Sequence, residues 1–504
     1  MKVILNRMIV SALALATFGI AQAEFNGPAP LAWRWQNGTP VPPGQMESAN
    51  GTLFLAVNNR VYALDPATGA QKWRYPVGEP LPAAFRQGVT VSGDLVVAAA
   101  DSKTVFGLSA ATGASLWQFT APQSLSCPPV IVGNLVVMAT ADGSMISVDK
   151  SSGLVVGAAP MKYPIRGTMV VSNELVIYAD DELGIQAVDP TTRQARWRVT
   201  VNELPAVVSL VVSEDAVYFS SGEYIIGLAS ANGARRALIN TRTRLSSSPV
   251  IVGEAISVID ENDMFMSYNR QGRRMHEPVN LGSGVMTQPA VLGKFVGVNL
   301  RNGSMSVVDP LKGKLVWNYI LRPLSKPVAG ANGRIPPNFA QAASAPLLIG
   351  DAVALLSRDG GLSYFDAASG VDLSAPTVKN IFPSSGSEYN WRPVFTFAWQ
   401  IEDLGVGLNY DSIKAEMNGQ KLEYDLNRDG DLFVQLGTAK NAGPQDGRKI
   451  VEITGADWLG NKFSHKTYVT FDSTLPQNRV APAPPASGGA GGGLGGGPGR
   501  GDGR

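Results

Sequence analysis

An all-β repeat fold is predicted by three observations: a motif that recurs eight times, a spacing near 40 residues, and strand, turn and strand inside every copy. The motif is clearest at Tyr62-Ala63-Leu64-Asp65-Pro66-Ala67-Thr68-Gly69-Ala70-Gln71-Lys72-Trp73. One strand ends near Leu64 and the next begins near Gln71. Asp suits the intervening turn because its carboxylate accepts from nearby backbone N–H groups, and Gly69 can take positive φ without a Cβ clash. Trp73 then carries a large ring that its own hairpin cannot bury, so a neighbouring copy has to cover it.

Counted by the turn-glycine position, the copies fall at Gly69, Gly113, Gly153, Arg193, Gly233, Gly272, Gly313 and Gly370, with gaps of 44, 40, 40, 40, 39, 41 and 57 residues. A period of about 40 to 45 residues belongs to four-stranded propeller blades. The unit from Pro249 to Arg273 shows the order, with apolar runs at Val250-Ile251-Val252, Ala255 to Ile259 and Met264 to Asn269 divided by turns. Four copies break the pattern, in two ways. Arg193 replaces the turn glycine, so it must accept a strained backbone or use another turn. Gly157, Ala237 and His276 stand at the tryptophan position of the third, fifth and sixth copies.

At these residues the chain resembles quinoprotein-type (PQQ-like) propeller repeats, whose blades end in Ala-x-Asp-x-x-Thr-Gly-x-x-x-Trp. The resemblance spans roughly residues 24 to 374 and implies an eight-bladed β-propeller. The family it implies includes quinone-cofactor dehydrogenases, the propeller lipoprotein of outer-membrane β-barrel assembly, and secreted binding proteins. Pro30-Leu31-Ala32-Trp33-Arg34-Trp35 reads as an outer strand without a blade, while the last copy ends in Val371-Asp372-Leu373-Ser374 without its tryptophan. The two halves complete one another, so the N-terminal strand is expected to close the ring and hide its free edges.

Around this ring, four parts are expected. Residues 1–23, with Lys2, Arg7, an apolar run from Met8 and the ending Ala21-Gln22-Ala23, read as a secretory signal peptide. Residues 24–375 are the propeller. Residues 376–473 lose the blade pattern and read as a sandwich of short strands. Their segments Asp403 to Leu408, Asn418-Gly419 and Asp457 to Asn461 look like those of bacterial immunoglobulin-like modules. Residues 474–504 are rich in proline and then glycine, cannot bury a core, and are expected to be disordered.

Composition narrows function. A net charge of +1, with charged residues at only 16%, gives no chain-wide basic signal for nucleic acid or anionic lipid. No later run is apolar enough to span a bilayer, and no cysteine near the cleavage site offers a lipid anchor. The protein is therefore expected to be secreted, periplasmic or on the cell surface.

Cys127 is the single cysteine, so an intramolecular disulfide is impossible, and its alignment with Ser247 marks it as a small residue leading into an inner strand. Quinone-dependent dehydrogenation, the sharpest enzymatic alternative, implies by the resemblance an adjacent cysteine pair and a carboxylate-bound calcium; neither can be assigned. No G-x-S-x-G, H-E-x-x-H or Walker loop is present. Asp180-Asp181-Glu182 and Asp260-Glu261-Asn262-Asp263 read as solvated turns. The expected function is non-catalytic: a binding or scaffold protein with a protein or glycan partner and no cofactor. Quinone-dependent dehydrogenation and outer-membrane protein assembly are the alternatives.

Two stretches carry site expectations. Asp425, Asn427, Asp429 and Asp431 alternate oxygen ligands around Gly430 like the first half of an EF-hand loop, but Leu436 replaces the bidentate Glu, leaving weak calcium binding or a plain hairpin. The long connection from Leu321 to Ala343 brings Arg322, Lys326, Arg334 and Phe339 to the face where outer-to-inner connections emerge. That makes it the expected partner-binding loop, with a solvated spacer as the alternative.

Overall fold

The computed structural model describes residues 25–36, 44–205, 208–324, 338–427 and 430–477. The expected leader and glycine-rich tail lie outside them. Seven four-stranded antiparallel sheets follow in chain order over 47–75, 89–120, 130–160, 170–200, 211–240, 250–280 and 290–320. The eighth combines Leu347–Ile349, Ala352–Leu356 and Gly361–Phe365 with the N-terminal strand Leu31–Gln36. Each sheet is a meander running from an inner to an outer strand. Its two middle strands are buried on both faces, as in Thr52–Val57, because neighbouring sheets pack on each side.

The recurring turn is held as its residues suggest. Asp65 accepts from the N–H groups of Ala67 at 2.8 Å and Thr68 at 3.2 Å, and Gly69 takes φ +70°. The tryptophan of one sheet then lies on the turn glycine of the next. Trp73 covers Gly113, where an added Cβ would sit 2.5 Å from the ring, and its Nε1 donates to the Ala110 carbonyl at 2.9 Å. Trp117 repeats this with Gly153 and Lys150, and Trp197 with Gly233 and Ser230. The repeat thus couples each unit to its successor.

Closure uses the same joint. Trp33 lies over Gly69, donates to the Pro66 carbonyl at 2.9 Å, and stacks on Tyr364 with centroids 4.7 Å apart. Leu53, Leu55 and Tyr62 of the first sheet share one core with Leu356, Leu362 and Tyr364 of the eighth. The N-terminal strand therefore supplies the outer strand that the last copy lacks.

The eroded copies are repaired in three ways. Arg193 keeps the turn glycine's left-handed backbone at φ +61°, and its guanidinium occupies the space over Gly157 that a tryptophan would fill. His276 lies on Gly313, and Ile239 replaces the missing ring over Gly272.

After the eighth sheet, two sheets form a sandwich. One holds Thr377–Phe382, Phe395–Glu402, Asp431–Leu436 and Asp425–Leu426; the other holds Ser387–Tyr389, Lys462–Phe471, Gly447–Ala456, Lys414–Met417 and Gln420–Leu422. Phe395–Glu402 alternates buried and half-buried residues, as one inward face requires. Phe397 and Trp399 stack at 5.3 Å within its core, and Trp399 donates to Thr467 Oγ1 at 2.9 Å.

Candidate binding surface

In a four-strand meander, outer-to-inner connections share one face with the turns between second and third strands. On that face, the connections entering the fifth, sixth and seventh sheets surround a groove of about 420 Å³, with Ser209, Ser246, Thr287 and Gln288 among its walls. Arg244 stands in it with Glu203 and Glu261. Its Nε lies 3.0 Å from Glu261, and its Nη2 donates to Glu203. All three side chains are substantially exposed, so these pairs add little stability and leave charged groups available to a partner. On the other side of Glu203 and Arg244, a cleft of about 640 Å³ runs between the fourth and fifth sheets and presents Val199, Tyr224, Ile226 and Leu238. A polar groove and a more apolar cleft thus meet at one charged divide.

The described ends of the expected loop, 321–324 and 338–343, lie on the same face, but two of their residues have other work. Arg322 is half-buried and donates to the Asn338 carbonyl at 3.1 Å. Phe339 is half-buried against Gly303, so it packs on the seventh sheet. Lys326 and Arg334 lie outside the described residues. A hydrogen-bonded chain joins this connection to the groove: Gln341 Nε2 donates to the Arg301 carbonyl at 3.1 Å, and Arg301 N donates to Gly284 at 2.8 Å.

The hairpin proposed for calcium is turned on itself. Asn427 Oδ1 accepts from Asp431 N at 2.9 Å while its Nδ2 donates to Asp431 Oδ2 at 3.0 Å; Asp425 pairs with Lys440 at 3.3 Å. Asp429 lies outside the described residues. Three other carboxylates do converge. Asp372, Asp403 and Asp457 bring oxygens within 4.8 Å of one another where the propeller meets the sandwich, an arrangement able to hold a cation. Burial, with the two neighbouring carboxylates, pushes Asp403 up to about 6. Asp403 and Asp457 open two of the segments that look immunoglobulin-like and Asp372 ends the last repeat copy, and nothing local in the sequence pairs residues so far apart.

Around them the two units interlock. Asp372 accepts from Val406 N at 2.8 Å, and Gly405 is needed because a Cβ there would lie 1.8 Å from the Asp372 carboxylate. Trp317 Nε1 donates to the Val406 carbonyl at 2.9 Å. In the joints made by Trp33, Trp73, Trp117 and Trp197 the ring bonds the next sheet's turn, so here the sandwich loop has taken the eighth turn's place.

Two expectations about acidic turns and the thiol resolve differently. Asp180 and Asp260 are buried and not solvated: Asp180 clasps Arg198 Nε at 2.7 Å and both carboxylates accept turn N–H groups. The turn assignment holds and Asp181, Glu182, Glu261 and Asn262 are exposed as expected; solvation fails at Asp180, which Arg198 reaches from the outer strand, and at Asp260, whose carboxylate is taken up by its own turn. Cys127 is buried between the third and fourth sheets, and burial pushes its thiol up to about 11, away from thiolate reactivity.

A family model described as outer membrane protein assembly factor BamB matches residues 57–270, 126–319 and 181–385, together most of the chain. The chain belongs to that family. Named BamB relatives are 24% identical over 339 residues in Burkholderia pseudomallei (strain K96243), covering 63% of this chain and 82% of the relative, and 22% identical over 342 residues in Shewanella oneidensis, covering 62% and 82%. The crystal structure of BamB from Moraxella catarrhalis superposes with a TM-score of 0.54 at 16% identity, over 67% of this chain and 99% of that one. The computationally designed Ika8 protein gives 0.52 at 13%, over 68% and 99%. At such identity the structures speak for the BamB-type propeller fold alone. The BamB family match ends at residue 385, so most of the sandwich lies beyond it. No helix among the described residues is long and apolar enough to cross a membrane.

Proposed function

We propose that this chain is a non-catalytic scaffold that binds protein partners outside the cytoplasm, with outer-membrane protein assembly, the role named for its relatives, as the best-supported setting. The family match along the propeller carries the reading. The binding face is the one bearing the groove around Arg244, with residues 321–324 and 338–343 on the same face. Exposed charge, hydroxyl groups and an apolar cleft side by side suit a folded protein surface, which needs an apolar anchor and a polar rim. The role needs no cofactor. The sandwich, whose two-sheet packing supports the immunoglobulin-like reading, is held against the seventh sheet and works as a fixed second arm.

The test is affinity capture from a cell-envelope fraction by the whole protein and by Arg244→Glu. Reversing an exposed charge should leave the fold intact and reduce recovery of the captured partners. Equal recovery by both folded proteins would remove the groove from the reading.

A further inference from the structure

Outer strands end their sheets, and their outward backbone groups have no neighbouring strand to pair with. Most carry blocking charges, among them Lys72 and Arg74 in the first sheet, Arg196 and Arg198 in the fourth, and Arg235 and Arg236 in the fifth. Those of the second, third and sixth sheets carry none, and only the third also lacks any polar side chain. From Leu154 through the strand Val155–Pro160 no side chain is polar, and Leu154, Val155 and Val156 are 71%, 53% and 50% exposed. Gly157 in the middle of that strand carries no side chain of its own, and the space over it is filled by the Arg193 guanidinium of the fourth sheet, so the edge is reached along its backbone and through Leu154, Val155 and Val156.

A second feature lies beside it. Val156 forms part of the wall of a cleft of about 490 Å³ between the third and fourth sheets, where Leu135, Leu175 and Pro190 stand beside the polar Asn134 and Asn173 and the Asp189–Arg196 ion pair lies at the rim. We propose that the outer strand Val155–Pro160 accepts an extended, uncharged segment of a protein partner as a fifth strand, with that segment's side chains entering this cleft. The proposal rests on the protein-binding reading above and names a second mode of contact for it.

The geometry selects the occupant. Unpaired backbone donors and acceptors call for an extended chain, and the exposed apolar side chains of Leu154, Val155 and Val156 offer a charge no partner along the first half of the edge. A second copy fits poorly. Antiparallel pairing about Gly157 would place Ala158 opposite Val156 and Pro160 opposite Leu154, so methyl groups would leave the cleft unfilled and proline would supply no donor.

The experiment uses the whole protein and an end-capped, uncharged peptide of alternating valine and threonine, followed by fluorescence anisotropy and amide hydrogen exchange. Binding should slow exchange within 154–160, and the double variant Val155→Lys, Val156→Lys should lose about tenfold or more in affinity at unchanged melting temperature. Arg244→Glu should bind the peptide normally. Absence of binding, protection confined to other segments, or equal affinity in the folded double variant would overturn the proposal, as would a dimer that the lysines abolish. If the double variant still captures envelope partners while the peptide never binds wild type, the edge proposal fails alone. Loss of partner capture in every protein would defeat the scaffold reading itself.

Discussion

Gly157 and Arg193 exchange the two roles that Trp and Gly play in the regular joints: the ring's place is vacated on one sheet, and a guanidinium from the next sheet's turn fills it, with Arg193 at φ +61°. Each residue breaks the repeat when read alone. Together they conserve contact between the third and fourth sheets.

Coupling between these residues is the first prediction. Gly157→Trp alone should destabilise by about 1 to 3 kcal/mol through overpacking against Arg193. Adding Arg193→Gly should recover most of that loss, because it recreates the regular joint and removes a strained φ. Denaturant unfolding of the two single variants and the double variant reads the coupling, and additive losses would show that the residues act independently.

The joint at Trp317 gives a second. Trp317 is fully buried, so Trp317→Ala should cost about 3 to 5 kcal/mol. Trp317→Phe, which chiefly removes the bond to Val406, should cost at least the roughly 0.5 to 1.5 kcal/mol of a buried hydrogen bond. The Phe variant should also speed amide exchange around 403–407. Unchanged exchange there would mean that the sandwich is held without this bond.

Much of this architecture was legible because its signals are local. Asp65, Thr68 and Gly69 build their turn within a few residues, and the surplus strand at Trp33 could be matched to the last copy's deficit by counting. The Gly157 and Arg193 anomalies were visible, but their mutual repair depends on two sheets meeting side by side. The candidate site was less legible for the same reason. Glu203, Arg244 and Glu261 come from three segments that only the ring brings together, and Asp180 looks solvated until Arg198 returns on the outer strand of the same sheet. Phe339 showed an apolar ring in a loop, but Gly303, which receives it, gives no sign in the sequence.

pH supplies a third prediction. Glu47, which accepts from Val91 N at 2.7 Å, is pushed up from 4.5 to about 7 by burial, and Asp403 from 3.8 to about 6. Each folded form keeps its proton to higher pH than the unfolded chain does. Their contributions are therefore present below the ordinary values and lost as pH rises through the folded ones. Unfolding free energy should fall between about pH 4.5 and 7, and Glu47→Gln with Asp403→Asn should flatten that slope. An identical slope in the double variant would assign the pH dependence to other groups.

The most direct test of the binding claim is photo-crosslinking in the cell envelope, with one photoreactive residue per protein. Ser246 is exposed in the groove wall, while Lys312 is exposed in a turn on the opposite face. A probe at Ser246 should form a discrete adduct with a second protein, and Arg244→Glu should weaken that adduct. A probe at Lys312 should not form it. The same adduct from Lys312, with none from Ser246, would contradict the account.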